Sequence, residues 1–197
     1  MHCTRFLNLL LALILVFACA LPAAAAGEKV LMIVAPRDFE DVEYTKPRGE
    51  FDDAGFAVTV ASTKTGTLKG RKGKRVDSDV ELKDVDVSGY DAVVVIGGNG
   101  IKKLWDDEAA QNVIRQASEQ GKIVAAICAG PGLLAEAGVL QGKKATAHPK
   151  SGARSMMEDA GCSYTDDKVV VDGNLITANG PKASRAFGEA VVEALTR

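Results

Sequence analysis

Apolar blocks separated by polar, helix-compatible stretches set the rhythm of this chain. Residues 30–35 (VLMIVA) form a continuous apolar run, the pattern of a strand covered on both faces. Comparable runs at 56–61, 92–96 and 123–127 predict three further strands. Residues 41–54 are polar and compatible with a helix, although Pro47 and Gly49 make that helix imperfect. More helices are expected over 106–119 and 151–160. Short strands at 168–171 and 175–177 flank a turn at Asp172-Gly173. A last helix starts at Asn179-Gly180-Pro181, with proline in its first turn. Strands that alternate with helices imply a parallel α/β sheet flanked on both faces. Neither an internal repeat nor an inter-domain linker is visible, so 27–197 reads as one domain.

Residues 1–26 stand apart from this rhythm. A short, weakly basic start ending at Arg5 leads into an almost wholly apolar run to Ala20, and then into small residues around Pro22. This is the three-part pattern of a secretory signal peptide, cleaved near Ala26–Gly27. The apolar run is short for a membrane span, so no stable insertion is expected after cleavage. A lipoprotein signal ending at Cys19 is a lesser alternative, since Phe17 fits it poorly. The expected address is therefore outside the cytoplasm, periplasmic or secreted.

The 197 residues carry a formal charge of −2, which argues against nucleic acid as a main partner. The one charge run, 69–75 (KGRKGKR), is expected to be a solvated hairpin rather than a site for an anion or nucleic acid. Signal cleavage would remove Cys3 and Cys19 and leave Cys128 and Cys162, too few for a disulfide scaffold although one bridge is conceivable in an oxidising compartment. His148 becomes the sole histidine. No Cys/His cluster has zinc spacing, and no phosphate loop or dinucleotide glycine motif is present, so neither a metal nor a cofactor is expected.

Cys128 carries the most information. It ends the apolar run 123–127 and is followed by Ala129-Gly130-Pro131-Gly132 and a helical segment, the strand–turn–helix layout of a nucleophile elbow. A helix N-terminus aimed at the sulfur would favour thiolate over thiol. Two more segments fall beyond strand ends, where sites form in parallel sheets. After the first strand comes Phe39-Glu40-Asp41-Val42-Glu43, in which Glu40 is the candidate acid facing Cys128, with a pKa raised by the neighbouring negative charge. After the third come Gly97-Gly98, whose amides could form an oxyanion hole with that of Ala129. His148 is a candidate to orient or deprotonate Cys128, with a purely structural histidine as the competing reading. Cys162 has no acid, base or elbow near it and reads as packing.

At these residues the chain resembles the ThiJ/PfpI superfamily, closest to its DJ-one (Parkinsonism-associated deglycase) branch. The likeness rests on 39–43, on 125–131, on Ala147-His148-Pro149, on 156–161 and on 170–173, all in order. It implies a flavodoxin-like, class I glutamine amidotransferase-like α/β sandwich, usually a homodimer. By match of motifs it gives Cys128 the reactive-cysteine role, Glu40 the partner-acid role and Gly98 and Ala129 the oxyanion pocket. His148 falls on a histidine near the cysteine. The PfpI-type peptidases carry a histidine directly after the cysteine, and here that position is Ala129, which weakens a cysteine peptidase or amidase reading. The expected activity is cofactor-independent, cysteine-based chemistry on small aldehydes such as methylglyoxal, or on glycated thiols or proteins. The alternative is a non-enzymatic oxidative-stress sensor or chaperone in which Cys128 becomes a sulfinate.

Overall fold

The computed structural model describes residues 27–197, so the expectations for the signal peptide, Cys3 and Cys19 lie outside the described residues. The chain opens with β1 (Lys29–Ile33), β2 (Arg37–Phe39) and α1 (Asp41–Asp53). Next come β3 (Ala57–Ser62), β4 (Gly66–Gly70), β5 (Arg75–Ser78), β6 (Val80–Glu81) and β7 (Ala92–Val95). They are followed by α2 (Glu108–Glu119), β8 (Ile123–Ile127), α3 (Pro131–Glu136), β9 (Lys144–Ala145) and α4 (Ala153–Asp159). The chain ends with β10 (Ser163–Tyr164), β11 (Val169–Asp172), β12 (Leu175–Ala178) and α5 (Ser184–Leu195).

Seven strands form the central sheet in the order β11-β12-β8-β7-β1-β3-β6. All its pairings are parallel except β11 with β12. Because successive strand residues point to opposite faces, the apolar runs divide between two cores. Leu31, Ile33, Val93, Val95, Val124 and Ala126 pack with residues of α2, α3 and α4. Val30, Met32, Val94, Ala125 and Ile127 pack with Tyr44 and Phe51 of α1 and Phe187 and Val191 of α5. The flavodoxin-like α/β sandwich expected from sequence is the observed fold.

Several elements were not expected. The basic run does form a hairpin turn, between β4 and β5, but this hairpin pairs with β2 in a separate three-stranded sheet. Each of the short strands β6, β9 and β10 is only two residues long, below what an apolar period can signal. Pro181 opens a 3-10 turn, Pro181–Ala183, ahead of α5. Helix α1 runs through Pro47, which is buried and sits where Gly188 of α5 comes so close that a Cβ there would meet Pro47 Cα at 2.8 Å.

Candidate active site

The carboxyl ends of β1, β7, β8 and β12 lead into one small cleft. Its lining includes Glu43, Gly98, Cys128, Ala129 and His148, around a volume of about 150 Å³.

Cys128 follows β8 with a φ of 65°, a left-handed conformation that costs a non-glycine residue about 1–3 kcal/mol. Neighbouring backbone holds it there. Its N–H donates to the Ala178 carbonyl at 2.8 Å, its carbonyl accepts from the His148 N–H at 2.9 Å, and the Gly130 N–H closes the turn on the Ile127 carbonyl at 2.9 Å. The Trp105 indole N–H donates to the Ala129 carbonyl at 3.1 Å, tying the elbow to the loop after β7. The amides of Gly98 and Ala129 point at the sulfur and favour its ionised form. Gly98 and Ala129, the residues expected to form an oxyanion pocket, thus present their amides to Cys128.

The acid beside the sulfur is Glu43 rather than Glu40. Helix α1 begins at Asp41 with Glu40 as its N-cap, so Glu40 ends up at the mouth, 3.8 Å from Arg71 and 3.7 Å from Lys72. Glu43, one turn further, is fully buried on the helix face that also carries Pro47 and Phe51. Its oxygens have no partner in strict hydrogen-bond geometry among the described residues. Their polar neighbours are the Cys128 thiol and the Gly97 amide. Gly97 is required there, because a Cβ would collide with Glu43 Oε2, with the Ile127 carbonyl at 2.6 Å and with Cys128 Cβ at 2.7 Å. The signal available in sequence was the spacing 43, 47, 51, which puts a carboxylate on the buried stripe of an otherwise polar helix.

Burial above all, and then the nearby Glu40 charge, pushes the Glu43 carboxyl up from 4.5 to about 8, against the Cys128 hydrogen bond. Burial, then the charge and hydrogen bond of Glu43, pushes Cys128 up from 9.0 to about 12. The two groups therefore titrate as a pair that resists carrying two negative charges. This corrects the expectation of a cysteine kept ionised by a helix end. Helix α3 has six residues, and a thiolate is favourable here only while Glu43 holds the proton.

His148 lines the same cleft, and its ring limits Gly180, where a Cβ would meet His148 Cδ2 at 2.9 Å. The Lys150 amide donates to His148 Nδ1 at 3.2 Å, which leaves the neutral ring its proton on Nε2. In that tautomer the free edge of the ring donates hydrogen bonds and does not accept the thiol proton. Cys162 is a buried free thiol in the α2–α3–α4 core, consistent with packing.

Fold and cleft together define an α/β protein with a cysteine on a strand-to-helix elbow facing a buried carboxyl group. The chain belongs to the DJ-1/PfpI family, which it matches over residues 28–194. A deglycase of Pyrococcus horikoshii is 38% identical over 153 residues, covering 78% of this chain and 90% of its own. A glutathione-independent glyoxalase of Caenorhabditis elegans is 31% identical over 171 residues, covering 87% and 90%. Among solved structures, a ThiJ/PfpI domain protein of Brachyspira murdochii superposes with a TM-score of 0.83 at 34% identity, over 86% of this chain and 97% of its own. Drosophila melanogaster DJ-1beta does so with 0.78 at 32% identity, over 86% and 90%.

Proposed function

We propose that the protein is a cofactor-independent enzyme that converts small reactive carbonyls, free or as their adducts with thiols and amines, through Cys128 and Glu43. The observation that carries the reading is the Glu43–Cys128 pair, a nucleophile and a proton carrier in one buried corner under two backbone amides. Relatives named deglycase and glyoxalase support it.

With methylglyoxal, the pair holding one proton reacts with that proton on Glu43 and the charge on sulfur. The thiolate adds to the aldehyde carbon, and the Gly98 and Ala129 amides hold the new oxyanion until it is protonated. The Glu43 carboxylate then removes the hydrogen from that carbon as a proton and returns it to the adjacent carbonyl carbon through an enediol. The aldehyde carbon is oxidised to a thioester and its neighbour is reduced to an alcohol. Water then hydrolyses the thioester to lactate and restores Cys128. Glu43 thereby takes the role expected of Glu40, and His148 serves as a donor rather than a base.

The test is steady-state loss of methylglyoxal with lactate quantified, wild type beside Cys128→Ala. Lactate formed over many turnovers and lost in the variant supports the reading. Lactate no higher than the variant's overturns it in favour of an oxidation-sensing or chaperone role. We also infer export, from residues 1–26 alone, and a homodimer, from the family resemblance. Cell fractionation with N-terminal sequencing checks the first, and sedimentation of residues 27–197 checks the second.

A further inference from the structure

The mouth of the cleft is more basic than the chemistry at its floor requires. Arg71, Lys102 and Lys150 all line it. Lys102 and Lys150 enter no ion pair among the described residues, and the only cleft carboxylate facing cations is Glu40, already set against Arg71 and Lys72. Glu43 adds no full charge near neutrality, since its carboxyl is pushed up to about 8. In a chain whose formal charge is −2, this is a local excess of positive charge at the mouth.

The backbone segments that carry the cations are also positioned. The Arg71 N–H donates to the Phe39 carbonyl at 2.9 Å. The Asp41 carboxylate accepts from the Lys72 and Lys74 amides at 2.8 Å each, which pins the hairpin turn over the start of α1. The Lys102 ammonium lies 5.8 Å from the Trp105 ring centroid, and Trp105 is bonded to Ala129. The Lys150 amide is bound to His148, whose own amide holds the Cys128 carbonyl. The main chain at Arg71 and Lys150, and the ammonium of Lys102, are thus tied to residues that build the elbow or its surroundings. The cleft volume equals roughly five waters at about 30 Å³ each, enough for a short carbonyl compound whose charged end lies among the cations.

We propose that this cleft selects carbonyl substrates bearing an anionic group, a carboxylate or a phosphate, with Arg71, Lys102 and Lys150 as the specificity-determining residues. The proposal deepens the carbonyl-chemistry reading by naming the substrate class, but its recognition step is separable from turnover. Alkylation of Cys128 provides that separation. The sulfur displaces iodide from iodoacetate (anionic) or iodoacetamide (neutral), a carbon–sulfur bond forms, iodide leaves and the thiol proton goes to solvent.

The experiment measures both rates on the full protein at low ionic strength and divides their ratio by that of a free small thiol. A ratio raised about tenfold or more is expected, within the range charged clefts give small ions. It should collapse with added salt and in the Arg71→Gln/Lys102→Gln/Lys150→Gln variant. A ratio equal to the free thiol's, or one that the triple variant leaves unchanged, overturns the proposal. Should Cys128 resist both reagents, acetate and inorganic phosphate titrated separately by NMR decide the point and distinguish carboxylate from phosphate. Shifts of the Gly98 and Ala129 amides that vanish in the triple variant support it, and their absence with both anions overturns it. A protein that prefers iodoacetate yet turns over neither methylglyoxal nor a 2-oxoaldehyde bearing a carboxylate or phosphate sinks the proposed function and leaves anion selection standing. One that forms lactate without that preference does the reverse.

Discussion

Glu43, in the first turn of α1, meets Cys128, at the end of β8, in a corner that stays closed because residue 97 has no side chain. The Glu43 carboxylate raises the cost of ionising Cys128, whereas burial, and not the thiol, holds the Glu43 proton in place. Replacing Glu43 by Gln removes the proton carrier and keeps the volume and a hydrogen-bond donor. Turnover of methylglyoxal should fall about 10²-fold or more, the scale of positioned acid–base catalysis. Glu40→Gln removes a charge that acts on Glu43 from a distance but leaves the proton carrier beside Cys128, and should cost less than tenfold. Equal losses in the two variants would return Glu40 to the proton-carrying role.

The same pair sets a pH dependence of stability. Glu43 is protonated up to about 8 in the folded chain but only to about 4.5 when unfolded. Between those values the folded state binds more protons, so stability falls as pH rises, at up to about 1.4 kcal/mol per unit. The loss begins above 4.5 and is complete once pH passes 8. Urea unfolding at pH 5 and pH 7.5 should show a drop in wild type that is clearly smaller in Glu43→Gln. Parallel profiles for the two proteins would mean that Glu43 is ionised in the folded state.

Activity should follow the opposite course. The reactive pair carries one proton, so kcat/KM is expected to rise with pH towards a plateau near 8 and above, well short of the second ionisation at about 12. In Glu43→Gln the residual alkylation of Cys128 should titrate at lower pH than in wild type, because the adjacent charge is gone. A wild-type rate that is flat from pH 6 to 9 would refute the shared proton.

His148 separates a donor from a base. With Nδ1 occupied by the Lys150 amide, the neutral ring presents an N–H at its other edge. His148→Gln can supply a similar donor and should keep kcat within about tenfold of wild type, with the pH profile unmoved. A loss on the scale of a removed general base, about 10²-fold or more, together with a shifted profile, would make His148 the base after all.

The fold was legible because its signals are long. The runs 30–35, 92–96 and 123–127 are apolar throughout, and each became a fully or nearly fully buried strand. Cys128 was legible for a related reason, since small residues after a buried strand leave few backbone solutions other than a sharp turn. The acid was misplaced by three residues. Glu40 and Glu43 are both carboxylates at a helix start, and choosing between them needs the helix phase relative to the sheet. That phase is fixed by Pro47 and Phe51, which pack towards α5 and the sheet. A Gly-spaced run of charges such as 69–75 signals a solvated hairpin and nothing more. That Arg71 and Lys72 fold back towards Glu40 depends on the pairing of β2 with β4, a contact between distant segments that no local pattern encodes.

The left-handed backbone at Cys128 gives a prediction that concerns strain alone. Its φ of 65° is held by hydrogen bonds from Cys128 to Ala178 and from His148 to Cys128. Glycine reaches that conformation without steric cost, whereas alanine meets the same obstacle as cysteine. At an ordinary helix or strand position Gly is about 0.5–1 kcal/mol less stable than Ala. Here the order should reverse, with Cys128→Gly unfolding at a higher denaturant concentration than Cys128→Ala, although it buries one methyl group fewer. Both variants lack the sulfur, so neither the coupling to Glu43 nor oxidation enters the comparison. If Cys128→Ala proves the more stable, the elbow is not strained in solution, and the reactivity of Cys128 would then owe nothing to stored backbone energy and everything to the buried acid and the two amides.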